Sequence, residues 1–144
     1  MILTRRSEIL KKITIIDGQG GRMGKTIIEQ LKNIFPEQEL LAIGTNSIAT
    51  AAMLKAGADH GATGENPVIV AARDSDIIIG PIGIVIADTL YGEVTASMAA
   101  AVGRSQAQKI LMPVNRCNHH VVGCEDLSMN EIVALTVKLV AKYL

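Results

Sequence analysis

Short runs of continuous apolar residues, each followed by a stretch of helical periodicity, constrain this chain more than any other feature. KITIID, ELLAIG, SDIIIG and QKILMPV are too short for buried helices and lack polar alternation. Each therefore reads as a strand covered on both faces. Helical patterns between them make the sheet parallel, because parallel neighbours need a crossover connection. Right-handed crossovers then give an α/β, Rossmann-like, doubly wound sheet, with 3-2-1-4-5 the simplest strand order. The 144 residues are expected to form one domain, with residues 1–11 a mobile N-terminal segment.

The periodicity predicts strands over residues 12–17, 39–44, 75–80 and 108–114, and a short third strand within ADHGATG. Helices are predicted over 23–34, 48–57, 67–73, 95–105 and 128–143. Pro36 stops the first, and TNS caps the second, which Gly57 closes. Ser128 to Glu131 forms a capping-box pattern at the start of the last. HHVVGC is the candidate for a further edge strand.

Between the first strand and its helix stands the turn Gly18-Gln19-Gly20-Gly21-Arg22-Met23-Gly24-Lys25. Gly18, Gly20 and Gly24 fit G-x-G-x-x-G. The first allows a tight turn, the second lets backbone approach a phosphate, and the third lets helix and strand pack closely. The helix N-terminus behind them offers free N–H groups and partial positive charge to an anion. A structural reading, in which the glycines only pack a helix on a strand, stays open. A P-loop does not fit: Gly24-Lys25-Thr26 resembles its end, but Gln19 occupies the place of its first glycine.

The same block, Gly18, Gly20, Gly21, Arg22, Met23 and Gly24, resembles the nucleotide-binding turn of dihydrodipicolinate reductases and, less closely, of prephenate dehydrogenases. That resemblance implies a nicotinamide dinucleotide, NADP or NAD. A wider resemblance runs through IIDGQGGRMGK, AIGTNSIATAAMLKAGADHGATGEN and SDIIIGPIGIVI. It points to an uncharacterised bacterial family of small Rossmann-like proteins of unknown function, and implies a cytoplasmic protein with no established activity.

Ligands of open α/β sheets bind beyond the carboxyl ends of the strands. Two further loops should meet the glycine turn there. Thr45, Asn46 and Ser47 follow the second strand, where NAD binders often carry an acidic residue for the ribose. Their hydroxyls and amide suit a 2′-phosphate instead, which favours NADP, and an ordinary helix cap is the plainer alternative. Gly80, Pro81, Ile82 and Gly83 follow the strand expected beside the first, where a rigid wall would face the cofactor. Asn115 and Arg116, past the fifth strand, are placed to touch a ligand. Glu65 and Asn66 offer a carboxylate and an amide after the third strand.

Cys117, His119, His120 and Cys124 match no usual zinc spacing, and adjacent histidines on a strand point to opposite faces, so no metal is expected. Fourteen Lys and Arg balance fourteen Asp and Glu, and the aromatics are only Phe35, Tyr91 and Tyr143. Such a chain lacks both the basic surface and the stacking platforms of nucleic-acid binders. No apolar run approaches the ~20 residues of a membrane span, and no signal-peptide pattern opens the chain. Two cysteines suit a reducing cytoplasm.

These residues point to a small nucleotide-binding protein, NAD(P) first, with no catalytic residue assignable and its being an enzyme left open. The fold consumes the chain, so a substrate site would need a neighbouring subunit, and alanine-rich helices make a homo-oligomer the expectation. Three alternatives remain. One is a non-enzymatic nucleotide sensor. Another is a lyase resembling methylglyoxal synthase, whose phosphate-cradling loops GTNS and GATG are similar to. The third is an interaction module whose glycine turn is structural.

Overall fold

The computed structural model describes residues 10–114 and 118–144. Its elements run β1 (Ile13–Asp17), α1 (Arg22–Ile34), β2 (Leu40–Gly44), α2 (Ser47–Lys55), β3 (His60–Thr63), α3 (Glu65–Ala72), β4 (Ile77–Pro81), α4 (Ala96–Arg104), β5 (Gln108–Met112) and α5 (Met129–Lys142). All strand pairs are parallel, and the five-stranded order is β3-β2-β1-β4-β5, as the crossover argument requires.

Alternation along the strands sorts the core into two layers. Ile13 and Ile15 of β1 and Ile77 and Ile79 of β4 point to one face, where α1, α2 and α5 cover them. Ile16 of β1, Ile43 of β2 and Ile78 of β4 point to the other, under α3 and α4. A strand buried on both sides has no polar face to show, which is why these runs carry no alternation. Thr14 is the polar exception in β1. Its hydroxyl meets that of Ser75 at 2.7 Å, and Ser75 donates to the Ala71 carbonyl at 2.6 Å, so the buried hydroxyls are satisfied.

The local signals act as expected at the helix starts. Asn46 accepts from the Ala49 N–H, Thr95 from Met98, and Ser128 from Glu131 with the reciprocal bond of a capping box. Two expectations are corrected. The HHVVGC stretch forms turns, and among the described residues no strand follows β5. The apolar wall after β4 is not a simple loop either: β4 continues through Pro81, paired with Met112, and a 3-10 turn at Ile82–Val85 follows. Proline is tolerated there because the strand ends with it. No helix among the described residues is long and apolar enough to cross a membrane.

Candidate functional site

The carboxyl ends of β1 and β4 are neighbours in the sheet, and the strands' connections diverge to opposite faces from there. A cavity of about 340 Å³ opens at this switch point. One wall is the glycine turn, Gly18 to Met23, with Thr26 one turn into α1. The other is apolar, from Pro81, Ile82, Gly83, Ile86 and Leu90, and Val114, His119 and Met129 close the end.

The turn has its shape for local reasons. Gly21 is the N-cap of α1 at φ +73°, and a Cβ there would stand 2.9 Å from the Ala49 backbone, so only glycine fits. A Cβ on Gly24 would collide with the Met53 thioether, which is the close helix packing expected of the third glycine. Gly20 differs, since a Cβ there meets nothing within 4 Å. Gly20 is itself among the residues that line the cavity.

Asp17 ends β1 beneath the turn and is 5% exposed. Its two oxygens accept from the backbone N–H groups of Gly18 and Gly24, each at 2.8 Å. Burial pushes its carboxyl above the ordinary value of 3.8, against the bonds from Gly24, Gly18 and Met23, and the Glu93 charge pushes the same way. A buried acid with a raised folded pKa is protonated more readily folded than unfolded. Its contribution to stability is whole below 3.8 and is lost as pH rises through the folded value. Urea unfolding across pH 3.5–8 should therefore show the wild type declining relative to Asp17→Asn, then running parallel to it. A wild type that gains on Asp17→Asn as pH rises would sink this account.

A strap, residues 86–94, crosses the turn. Thr89 anchors it through bonds from its hydroxyl to the Gly83 and Ile86 carbonyls, at 2.6 and 3.0 Å. At the far end the Glu93 carboxylate accepts from the Gln19 N–H at 3.0 Å, the Thr45 hydroxyl at 2.5 Å and the Asn46 amide at 2.7 Å. Burial pushes the Glu93 carboxyl up, but these three bonds together outweigh it and hold the group below its usual range.

The sequence candidates thus part into groups. Gly18, Gln19, Gly20, Gly21, Arg22 and Met23 gather with Pro81, Ile82 and Gly83 around one cavity. Gly24 lies buried behind it, Lys25 is exposed on α1, and Gly80 sits under the wall with its Cα facing the Ile16 carbonyl. Thr45 and Asn46, expected to take a 2′-phosphate, give their donors to Glu93, and Ser47 is exposed at the start of α2. Glu65 accepts from Thr95 and neither it nor Asn66 lines the cavity. Asn115, Arg116 and Cys117 lie outside the described residues. His119 lines the cavity, His120 is exposed, and no group of three or more His, Cys, Asp or Glu among the described residues could hold a metal. Asp17, Thr89 and Glu93 escaped the sequence reading. Only Asp17 carried a signal, as an acid closing an otherwise apolar strand.

A family model described as a domain of unknown function, DUF3842, matches residues 12–144. No curated protein matches the chain. Among solved structures, the chain is similar to a dodecameric FMN-dependent UbiX-like decarboxylase from Escherichia coli O157:H7. The two share 16% identity over 90% of this chain and 93% of that one, with a TM-score of 0.51. At that identity the likeness speaks for the fold alone.

Proposed function

Because the chain belongs to the DUF3842 family, whose description assigns no activity, its function has to be argued from the site, and we propose that it binds a phosphate-bearing nucleotide or flavin. The phosphate sits against Gly20 to Arg22, and the ring system lies along Pro81, Ile82 and Ile86. The observation that carries this reading is the cavity itself: one wall of backbone at a helix N-terminus, the other apolar, at the switch point of a parallel sheet. Among the described residues the Gly20 and Arg22 N–H groups have no protein partner, whereas Gly21 bonds to the Gly18 carbonyl and Gly24 to Asp17. The Arg22 side chain is exposed beside them and supplies a cation. About 340 Å³ is the lower end of the range for small-molecule sites and suits a single nucleotide or flavin.

FMN is the first ligand to test, because the similar decarboxylase is named FMN-dependent. NAD(P) is the second reading, favoured by the G-x-G-x-x-G spacing of Gly18, Gly20 and Gly24. Self-association belongs to the same reading, since the similar decarboxylase is dodecameric.

A thermal-shift panel on ligand-stripped protein tests it, with FMN, riboflavin, AMP, NAD, NADP and dihydroxyacetone phosphate. A ligand at 100 times its Kd adds about 2.7 kcal/mol, or roughly 5–10 °C for a chain of this size. FMN should shift the midpoint and riboflavin should not. A shift with the triose phosphate alone would move the assignment to the lyase class. No shift with any of them would leave the glycine turn as packing.

A further inference from the structure

We infer that Glu93 determines which ligands the glycine turn accepts: by fastening the strap across the β2 side of the turn, it closes the half-site that the adenosine of a dinucleotide needs. This inference deepens the reading above and rests on it.

In dinucleotide-binding sheets the pyrophosphate crosses the first turn, and the adenosine ribose reaches an acidic group just beyond the second strand. The chain carries no acid of its own in the loop after β2, yet a carboxylate is there. It comes from Glu93, beyond β4, and all three of its donors converge on the same oxygen, Oε1. Those donors, from Gln19, Thr45 and Asn46, are the groups that a ribose or a 2′-phosphate would otherwise recruit. Asn46 also donates to the Gln19 carbonyl at 2.9 Å, tying the two loops directly. The strap's Leu90 packs so closely on Gly18 that a Cβ there would stand 2.6 Å from its Cδ1. The β2 side of the turn is therefore filled by protein, and the cavity lies wholly on the β4 side.

The strap's backbone carries a second, independent mark. Asp88, Leu90 and Tyr91 all adopt positive φ, at 66°, 55° and 55°. Side chains other than glycine hold such a conformation only where their surroundings impose it. Thr89 ties the strap down at one end and Glu93 at the other, and backbone bonds such as Val94 N–H to the Thr89 carbonyl close it on itself.

The test is calorimetric titration of FMN and NADP into the wild type, Glu93→Ala and Glu93→Gln. The wild type should take FMN and bind NADP at least tenfold more weakly. Glu93→Ala should gain tenfold or more for NADP, raising the ratio of NADP to FMN affinity by at least that factor. Glu93→Gln retains an oxygen at the Oε1 position and should keep the wild-type preference. Should Glu93→Ala fail to fold by circular dichroism, Leu90→Ala loosens the strap's packing on Gly18 while leaving all three donors in place, and should raise NADP affinity severalfold. Exclusion of NADP as strong as the wild type's from whichever of Glu93→Ala and Leu90→Ala folds would overturn the inference and leave the binding reading standing. So would a wild type that takes NADP as well as FMN. A wild type that binds neither removes the binding reading and this inference together.

Discussion

Gly20→Asp is expected to weaken FMN binding by at least 100-fold while leaving the urea midpoint nearly unchanged. The two halves of that expectation have different causes. Gly20 has φ outside the left-handed region, and a Cβ there meets nothing within 4 Å, so the fold accepts a side chain. The new carboxylate, however, stands on the turn that lines the cavity, where a phosphate would sit. Two like charges ~4 Å apart near a protein surface repel by about 4 kcal/mol, more than the 2.7 kcal/mol that a 100-fold loss represents. Gly20→Ala adds bulk without charge and should cost less than tenfold. A folded Gly20→Asp with unaltered affinity would mean that the ligand does not use the turn.

The largest effect on stability should come from Ile79→Ala. Ile79 is fully buried at the middle of β4, opposite Ile15 of β1 and Ile110 of β5, beneath α1 and α5. Truncating it removes packing from three strands at once, in a place where the sheet cannot collapse to fill the gap. Such substitutions cost about 2–5 kcal/mol, a large share of the ~5–15 kcal/mol that holds a domain folded. Ile48 is the internal control: at 70% exposure, Ile48→Ala should change stability by no more than about 0.5 kcal/mol. Urea unfolding of the pair reads both. A loss below 1 kcal/mol at Ile79 would argue that β4 is not an interior strand of the sheet.

The parts of this molecule that could be read in advance are those decided by neighbours in the chain. Ile77, Ile78 and Ile79 announce a doubly covered strand because burial on both faces leaves no room for polar alternation. Handedness of the crossovers then leaves few ways to order five such strands. Asn46, Thr95 and Ser128 announce helix starts because a cap is satisfied within three residues of itself. Gly18 to Gly24 announce a turn that could face a phosphate, for the same local reason.

Glu93 was invisible because its partner Gln19 is 74 residues away, and no pattern distinguishes one loop carboxylate from another. Thr45 and Asn46 were read as open to a ligand because nothing local reveals that a distant strap consumes their donors. His119, His120, Val121 and Val122 misled in the opposite way. Their composition suits a strand, but a strand exists only where a neighbour offers its ladder, and here the segment turns towards α5 instead.

The Asp17 bonds bear on the cost of occupancy. A phosphate-gripping loop that needed its ligand to stay in shape would spend part of every binding event on ordering itself. Here the chain supplies its own acceptor: Asp17 receives the Gly18 and Gly24 N–H groups, and the Gly21 N–H closes on the Gly18 carbonyl at 2.9 Å. The turn is thus preorganised, and under the proposed reading little binding energy would be diverted to folding it. Affinity at this turn should respond to what a ligand carries rather than to how flexible the turn is. Selection can then retune the molecule for a different ligand by altering its walls alone.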